Sequence, residues 1–357
     1  MKIILSAIIG NEAPVIERFI RSFAPAVDEF VFVIATGNQE PDHTREIILK
    51  TCDDVGKFST SSVYKNDKGV DLPHVDDFGA ARNTALQIAE TRTNTGDYIL
   101  WADADDTLAD GAVDAIRTAA EDGKHDVYIM PYNVRGDKQV VWRERMVKAG
   151  LGSKWRHAIH EQLHFPNDVT YRMIKDAVFQ HLPLEDKQGG HERNLSILQG
   201  ELKETPRSLF YLAQEYFQSG KLYEFKPIAE AALILPGLTN IEEYELLMQL
   251  AQSPGTEAKK LAAEAFALMP DRREALALLV NYAIIDSNPE RALELSEAMM
   301  ALDTPKRTYW SLNHEWYGWK GDELYRQCLR LNGEEESANN DWQSSVNDDM
   351  PTFSVVH

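Results

Sequence analysis

The 357-residue chain has little cysteine, no long apolar run and a deficit of positive charge. Its two cysteines, Cys52 and Cys328, lie far apart, which argues against a disulfide framework or a cysteine-ligated metal. A reducing cytosol is the expected compartment. No uninterrupted apolar run reaches the ~18 residues of a membrane span. The apolar start, Met1 to Ile9, is short and is followed at once by Asn11-Glu12, so it reads as a first strand rather than a leader. Lys and Arg number 37 against 57 Asp and Glu, a formal net charge of -20, and neither basic residue occurs after Arg330. A bulk electrostatic grip on nucleic acid needs Lys and Arg to neutralise phosphates, so it is not expected. What is present is 43% hydrophobic residues in a chain long enough for two domains.

The first half alternates short apolar runs with amphipathic stretches. Residues 2–9, 29–35, 98–102 and 127–132 read as strands; 14–22, 78–90 and 110–121 read as helices, with a further helix start at 44–49. Strands alternating with helices imply βαβ units and a mainly parallel sheet. From about residue 190 the pattern becomes helical and repetitive. Ala229-Glu230-Ala231-Ala232-Leu233-Ile234-Leu235-Pro236 matches Ala263-Glu264-Ala265-Phe266-Ala267-Leu268-Met269-Pro270 at an offset of 34 residues. That period is the signature of tetratricopeptide (TPR) helix–turn–helix repeats. The expected organisation is an α/β domain over 1–195, a TPR-like helical domain over 196–332 and a flexible acidic tail over 333–357.

The most informative stretch is Tyr98-Ile99-Leu100-Trp101-Ala102-Asp103-Ala104-Asp105-Asp106-Thr107. An apolar run reading as a buried strand ends in three carboxylates. The C-terminal ends of strands are where open α/β sheets bind ligands. Carboxylates so placed suit a hard divalent cation that shares its oxygens with substrate phosphates.

Four segments, in order, resemble the family-2 glycosyltransferases of the GT-A fold. They are Ile8-Ile9-Gly10-Asn11-Glu12, the stretch from Ala35 to Ile47 with Asp42-His43-Thr44, the helix Ala81-Arg82-Asn83, and Asp103-Ala104-Asp105-Asp106. The usual acidic residue after the second strand is replaced by Ala35-Thr36. Later landmarks, Trp155-Arg156-His157-Ala158-Ile159-His160-Glu161, His181 and Arg193-Asn194-Leu195, resemble the S-glycosyltransferase type that carries C-terminal repeats. The resemblance implies an inverting, metal-dependent transferase taking a sugar from a UDP-sugar to a hydroxyl or thiol. It implies donor contacts from Ile8, Glu12, Arg82, Asp103 and Ala104, and Mn2+ or Mg2+ held by Asp105 and His181. It further implies Glu161 as catalytic base, with Trp155 and His160 on the acceptor side. A peptide or protein, a glycan and a modified nucleic acid are the acceptor classes left open, and the repeats are expected to position the acceptor or to mediate self-association.

Each residue also has a plainer reading. Asp106 can cap the next helix, Glu161 can pair with Arg143, Arg145 or Arg156, and Arg82 can brace Asp77 or Asp103. Glu12 can cap the first helix, and His181 can simply end a strand. Asp53-Asp54 and Asp76-Asp77 read as solvated faces. Two rival functions stand beside the transferase. Asp103-Ala104-Asp105-Asp106-Thr107-Leu108 also fits a haloacid-dehalogenase-like phosphatase, whose first Asp is a nucleophile. The repeats alone would make a non-catalytic peptide-binding scaffold.

Overall fold

Continuous apolar runs dictate the centre of the fold, because a strand covered on both faces has no polar side to show. A computed structural model describes residues 1–66, 71–134, 140–166, 168–183, 190–200, 205–305 and 312–334. The chain divides into two compact units, Met1–Leu202 and Lys203–His357.

In the first unit, β1 (Ile3–Ile9), β2 (Glu29–Ile34) and β4 (Tyr98–Trp101) are almost wholly buried. Side chains alternate across β1. Ile3, Leu5, Ala7 and Ile9 pack with α1 (Ile16–Phe23), α2 (Thr44–Asp54) and α4 (Ala112–Asp122). Ile4 packs with α3 (Phe78–Glu90) on the other face. The remaining strands are β3 (Phe58–Val63), β5 (Asp106–Leu108), β6 (Val127–Asn133), β7 (Val140–Lys148), β10 (Tyr171–Met173) and β11 (Phe179–His181). The sheet runs β3-β2-β1-β4-β7-β6-β11-β5, with β10 also on β6. It is parallel from β3 to β4 and antiparallel where β7 joins β4 and β6. A separate hairpin, β8 (Lys154–Arg156) with β9 (Gln162–His164), lays Trp155 and Leu163 on the α3 face. α5 (Gly190–Gly200) follows, so residue 195 lies inside a helix.

Some elements depart from the sequence pattern. β3 reads Phe-Ser-Thr-Ser-Ser-Val and is an exposed edge, so it carries no apolar signal. Asp76-Asp77 is not a solvated face. Asp77 caps α3, accepting the Ala80 N–H at 2.7 Å, and Asp76 is buried and accepts the Tyr64 hydroxyl at 3.0 Å. Asp53 and Asp54 are exposed as expected.

The second unit is helical. Its helices are α6 (Pro206–Gln218), α7 (Leu222–Ile234), α8 (Asn240–Ala251), α9 (Ala258–Leu268), α10 (Arg273–Ile285) and α11 (Pro289–Met300). A 3-10 turn at His314–Tyr317 and α12 (Trp319–Leu331) come last. Thr205 and Thr239 close capping boxes at the starts of α6 and α8. Alanines at the inner positions let paired helices approach closely: Ala229, Ala232, Ala262, Ala265 and Ala292 are fully buried. Burial makes Ala229 equivalent to Ala262, not to the exposed Ala263 aligned by the sequence match. The turn after α7 therefore differs by one residue from the turn after α9. Among the described residues no helix is long and apolar enough to cross a membrane. From residue 335 the expected acidic tail lies outside the described residues.

Asp28, just before β2, ties β1 to α4. It accepts the Ile3 N–H at 2.7 Å and both terminal nitrogens of Arg117 at 2.9 and 3.0 Å. Burial pushes its pKa up, but the Arg117 and Ile3 hydrogen bonds and the charges of Arg117 and Lys57 outweigh that, leaving it below the ordinary value. A depressed folded pKa gives stability that is complete above the unfolded value of ~3.9 and is lost as pH falls through the folded value. Asp28→Asn should therefore melt lower at pH 7 and lose less on acidification below about pH 4. Melting curves that track the wild type at both pH 7 and pH 3 would refute this anchor.

Candidate active site

The acidic motif folds as a tight turn at the C-terminal end of β4. Asp106 donates its N–H to the Asp103 carbonyl at 2.9 Å, and the Asp103 N–H donates back to Asp106 Oδ2 at 3.0 Å. The turn runs into β5, which pairs antiparallel with β11 so that His181 faces Asp106 in register. Asp106 is thus not a helix cap; Gly111 holds that place for α4. His181 Nδ1 lies 3.4 Å from Asp105 Oδ1 and 3.4 Å from Asp106 Oδ1. Asp105, Asp106 and His181 each offer one ligand atom, all within 4.8 Å of one another. Two carboxylate oxygens and one imidazole nitrogen, with positions left for substrate oxygens, fit a divalent cation. Hydrogen bonding to Asp105 and then Asp106 outweighs burial and raises the His181 pKa to about 9. A cation taking that nitrogen displaces its proton.

A second constellation centres on Arg82 in α3. Its Nε donates to Glu161 Oε1 at 2.5 Å and a terminal nitrogen donates to Asp103 Oδ1 at 2.6 Å. The guanidinium carbon is 5.0 Å from the centre of the Trp101 ring and 5.1 Å from that of Trp155. Arg82 therefore braces Asp103, as one reading expected, and is also the ion-pair partner of Glu161, in place of Arg143, Arg145 or Arg156. Burial pushes the Asp103 carboxyl up, but the charges of Arg82 and Arg145 and the Arg82 hydrogen bond outweigh it and hold it well below the usual carboxylate range.

The Glu161 loop is held by close backbone contact. Phe78 N–H donates to the Ala158 carbonyl at 2.7 Å. A Cβ on Gly79 would stand 2.3 Å from the His157 carbonyl oxygen, so the approach requires glycine. His157 and His160 turn the loop with φ of 73° and 52°. Trp155 is 5% exposed, edge-on to Trp101 at 4.9 Å, with Asn83 bonded to its backbone N–H and carbonyl.

A cleft of about 740 Å³ joins these parts. Ile8, Glu12, Arg82, Asp103, Ala104, Asp105 and His181 all line it. Glu161, Trp155 and His160 do not; Glu161 reaches the cleft through Arg82. Thr36, Gln39, His74 and Phe78 line the cleft too, as does Arg193 from α5. Thr36 and Gln39 belong to the second segment of the resemblance and Phe78 opens the Ala-Arg-Asn helix, whereas His74 carried no chemical pattern in the sequence. Asp106 joins the Asp105–His181 cluster because β11 returns beside β5, a pairing that spacing along the chain does not reveal. A separate cleft of about 680 Å³ beside Glu144, His164 and Asp168 contains none of these groups.

The α/β sheet gathers an acidic turn, a histidine and an arginine–carboxylate bridge around one cleft at the C-terminal ends of its strands, the place where open α/β sheets bind ligands. Residues 8–182, from β1 through β11, match the family model for Glycosyl transferase family 2. The first unit carries that family's domain, and the chain is a glycosyltransferase whose C-terminal unit is helical and TPR-like. No curated protein matches it in sequence. Among solved structures, S. aureus TarS 1-349 aligns at a TM-score of 0.38 and 14% identity over 85% of this chain and 93% of that one. The same fragment is also known in complex with UDP-GlcNAc. A longer TarS chain aligns at 0.37 and 13% identity over 78% of this chain, which spans only 55% of that one. MamA 41-end from Desulfovibrio magneticus RS-1 aligns at 0.36 and 16% identity over 46% of this chain and 90% of that one. The phosphatase reading falls with the family match, and Asp103 follows β4, not the first strand.

Arg82→Met should destabilise the fold by about 3 kcal/mol, because it leaves the half-buried Glu161 without its ion-pair partner and Asp103 with only the more distant Arg145. Adding Glu161→Gln should return part of that loss. Urea unfolding of the three variants checks it, and strictly additive losses would rule out the shared bridge.

Proposed function

We propose that the chain moves a sugar, with inversion, from a UDP-sugar to an acceptor hydroxyl or thiol with the help of Mn2+ or Mg2+. The observation that carries this reading is the convergence of Asp105 and His181 on the same cleft as Glu12, Arg82 and Asp103. Asp105, Asp106 and His181 would hold the cation. When bound, it balances the negative charge that builds on the leaving diphosphate.

Ile8 and Ala104 line the donor cleft beside Glu12, and the ionised Asp103 accepts hydrogen bonds from donor hydroxyls. Arg82, bonded to Glu161 through Nε and to Asp103 through one terminal nitrogen, offers its remaining N–H donors to diphosphate oxygens. Glu161 takes the acceptor proton. The acceptor oxygen or sulfur then forms its bond to the anomeric carbon on the face opposite the diphosphate, and the bond to the diphosphate breaks with its electron pair. His160, next to Glu161 in the loop, is placed on the acceptor side with the Trp155 strand behind it. The helical unit positions the acceptor or joins copies of the chain, and the cytosol is the proposed compartment.

Melting with a panel of nucleotides and nucleotide-sugars tests the donor. A ligand at ~100 times its dissociation constant adds about 2.7 kcal/mol of stability. UDP or one UDP-sugar should raise the melting temperature only when Mn2+ or Mg2+ is present, and Asp105→Ala should abolish that shift while folding normally. Glu161→Gln should keep the shift and slow transfer by roughly 10²–10⁴-fold. No shift with any nucleotide would overturn the donor assignment, and full transfer by Glu161→Gln would overturn the base.

A further inference from the structure

Arg145 on β7 has no solvent exposure and is among the bulkiest of the fully buried side chains. Its guanidinium carbon lies 4.0 Å from the ring centre of Trp101, 4.3 Å from Tyr132 and 4.9 Å from Phe179. None of its three side-chain nitrogens makes a hydrogen bond. Its nearest anions are Asp106 Oδ2 at 3.3 Å and Asp103 Oδ2 at 3.8 Å. A buried charge without hydrogen bonds is costly, and a methionine would fill an aromatic cage at lower cost. The cage supplies cation–π attraction, which holds a charge without prescribing donor directions.

The two oxygens of Asp106 divide the space around it. Oδ2 faces Arg145 and accepts the Asp103 N–H at 3.0 Å. Oδ1 faces His181 at 3.4 Å, in the cluster with Asp105. The guanidinium thus stands on the buried side of the carboxylate and the ligand cluster on the other. Three carboxylates within four positions repel one another. Arg82 compensates Asp103 at Oδ1, and Arg145 compensates Asp106 from the interior.

We propose that Arg145 is the positioning residue of the cation site: it draws Oδ2 of Asp106 inward and so presents Oδ1 beside Asp105 and His181. The proposal rests on the cation reading given above. Arg145 does not line the cleft and acts only through Asp106. Groups that orient metal-binding carboxylates typically change metal affinity by about 10–100-fold when removed.

The test is Mn2+ binding alone, without nucleotide, followed by electron paramagnetic resonance on the full chain, with melting curves alongside. Arg145→Met should weaken Mn2+ binding by about 10–100-fold, and Arg145→Lys, which keeps the charge, should recover part of that loss. Asp106→Asn should weaken binding as well. Adding Arg145→Met to Asp106→Asn should weaken it no further, because the arginine acts through that carboxylate. If Arg145→Met alone does not fold, the double variant and Arg145→Lys decide, since neither leaves a buried charge without its counterpart. A folded Arg145→Met with wild-type Mn2+ affinity would overturn the assignment, and so would independent losses that add in the double variant. Wild-type protein that takes up no Mn2+ overturns the cation reading itself, whereas normal wild-type uptake with indifferent variants overturns only the role of Arg145.

Discussion

The site depends on one guanidinium serving two carboxylates. Arg82 bonds Asp103, which arrives at the end of β4, and Glu161, which lies 79 positions beyond Arg82 in the β8–β9 loop. An arginine is suited to this because its planar fork bonds two carboxylates in separate directions at once. A lysine would offer a single point charge. The bridge brings the side proposed to bind donor and the side proposed to accept the acceptor's proton to a common atom group, and the flanking rings of Trp101 and Trp155 keep that group in place.

The same economy of charge extends inward. The turn from Asp103 to Asp106 concentrates negative charge at the end of a buried strand, and three positive groups share it: Arg82 and Arg145 face Asp103, Arg145 faces Asp106, and His181 stands between Asp105 and Asp106. Such a turn cannot fold in an apolar interior without those partners. The acidic surplus of the whole chain makes the local positive charges stand out. They are drawn from α3, β7 and β11, so the motif is stable only when the complete sheet has formed.

What was legible in the sequence follows the same division. The buried strands Ile3–Ile9, Glu29–Ile34 and Tyr98–Trp101 announce themselves because burial on two faces favours near-continuous apolar runs. The Asp103–Asp106 turn and the Arg82 helix were readable as motifs, and the helical repeats as a period. β3 was not readable, because an exposed edge can be built from serine and threonine. β7 carries Arg143, Glu144 and Arg145 in one strand, and its charges hide a strand in the interior of the sheet. Partners were the hardest to foresee: three arginines nearby in sequence were the natural choices for Glu161, and the structure supplies a fourth from α3. The meeting of Asp106 with His181 depends on antiparallel return of β11, which spacing along the chain does not encode.

One helix carries both the bridge and the lock that makes it possible. α3 begins at Phe78, whose N–H holds the Ala158 carbonyl, and continues through Gly79, where only a missing Cβ admits the His157 carbonyl. One turn on, the same helix presents Arg82 to Glu161, three residues beyond Ala158. The loop pays for its shape with two histidines at positive φ, a strain that persists only where surrounding contacts enforce it. Those contacts are the backbone bonds to α3 and the packing of Trp155 and Leu163 on the same face. Because Arg82 and its lock share a rigid helix, the position of Glu161 relative to Asp103 is set by backbone geometry before any side chain chooses a rotamer. Precision at the site therefore rests on a glycine and two carbonyls as much as on the charged residues.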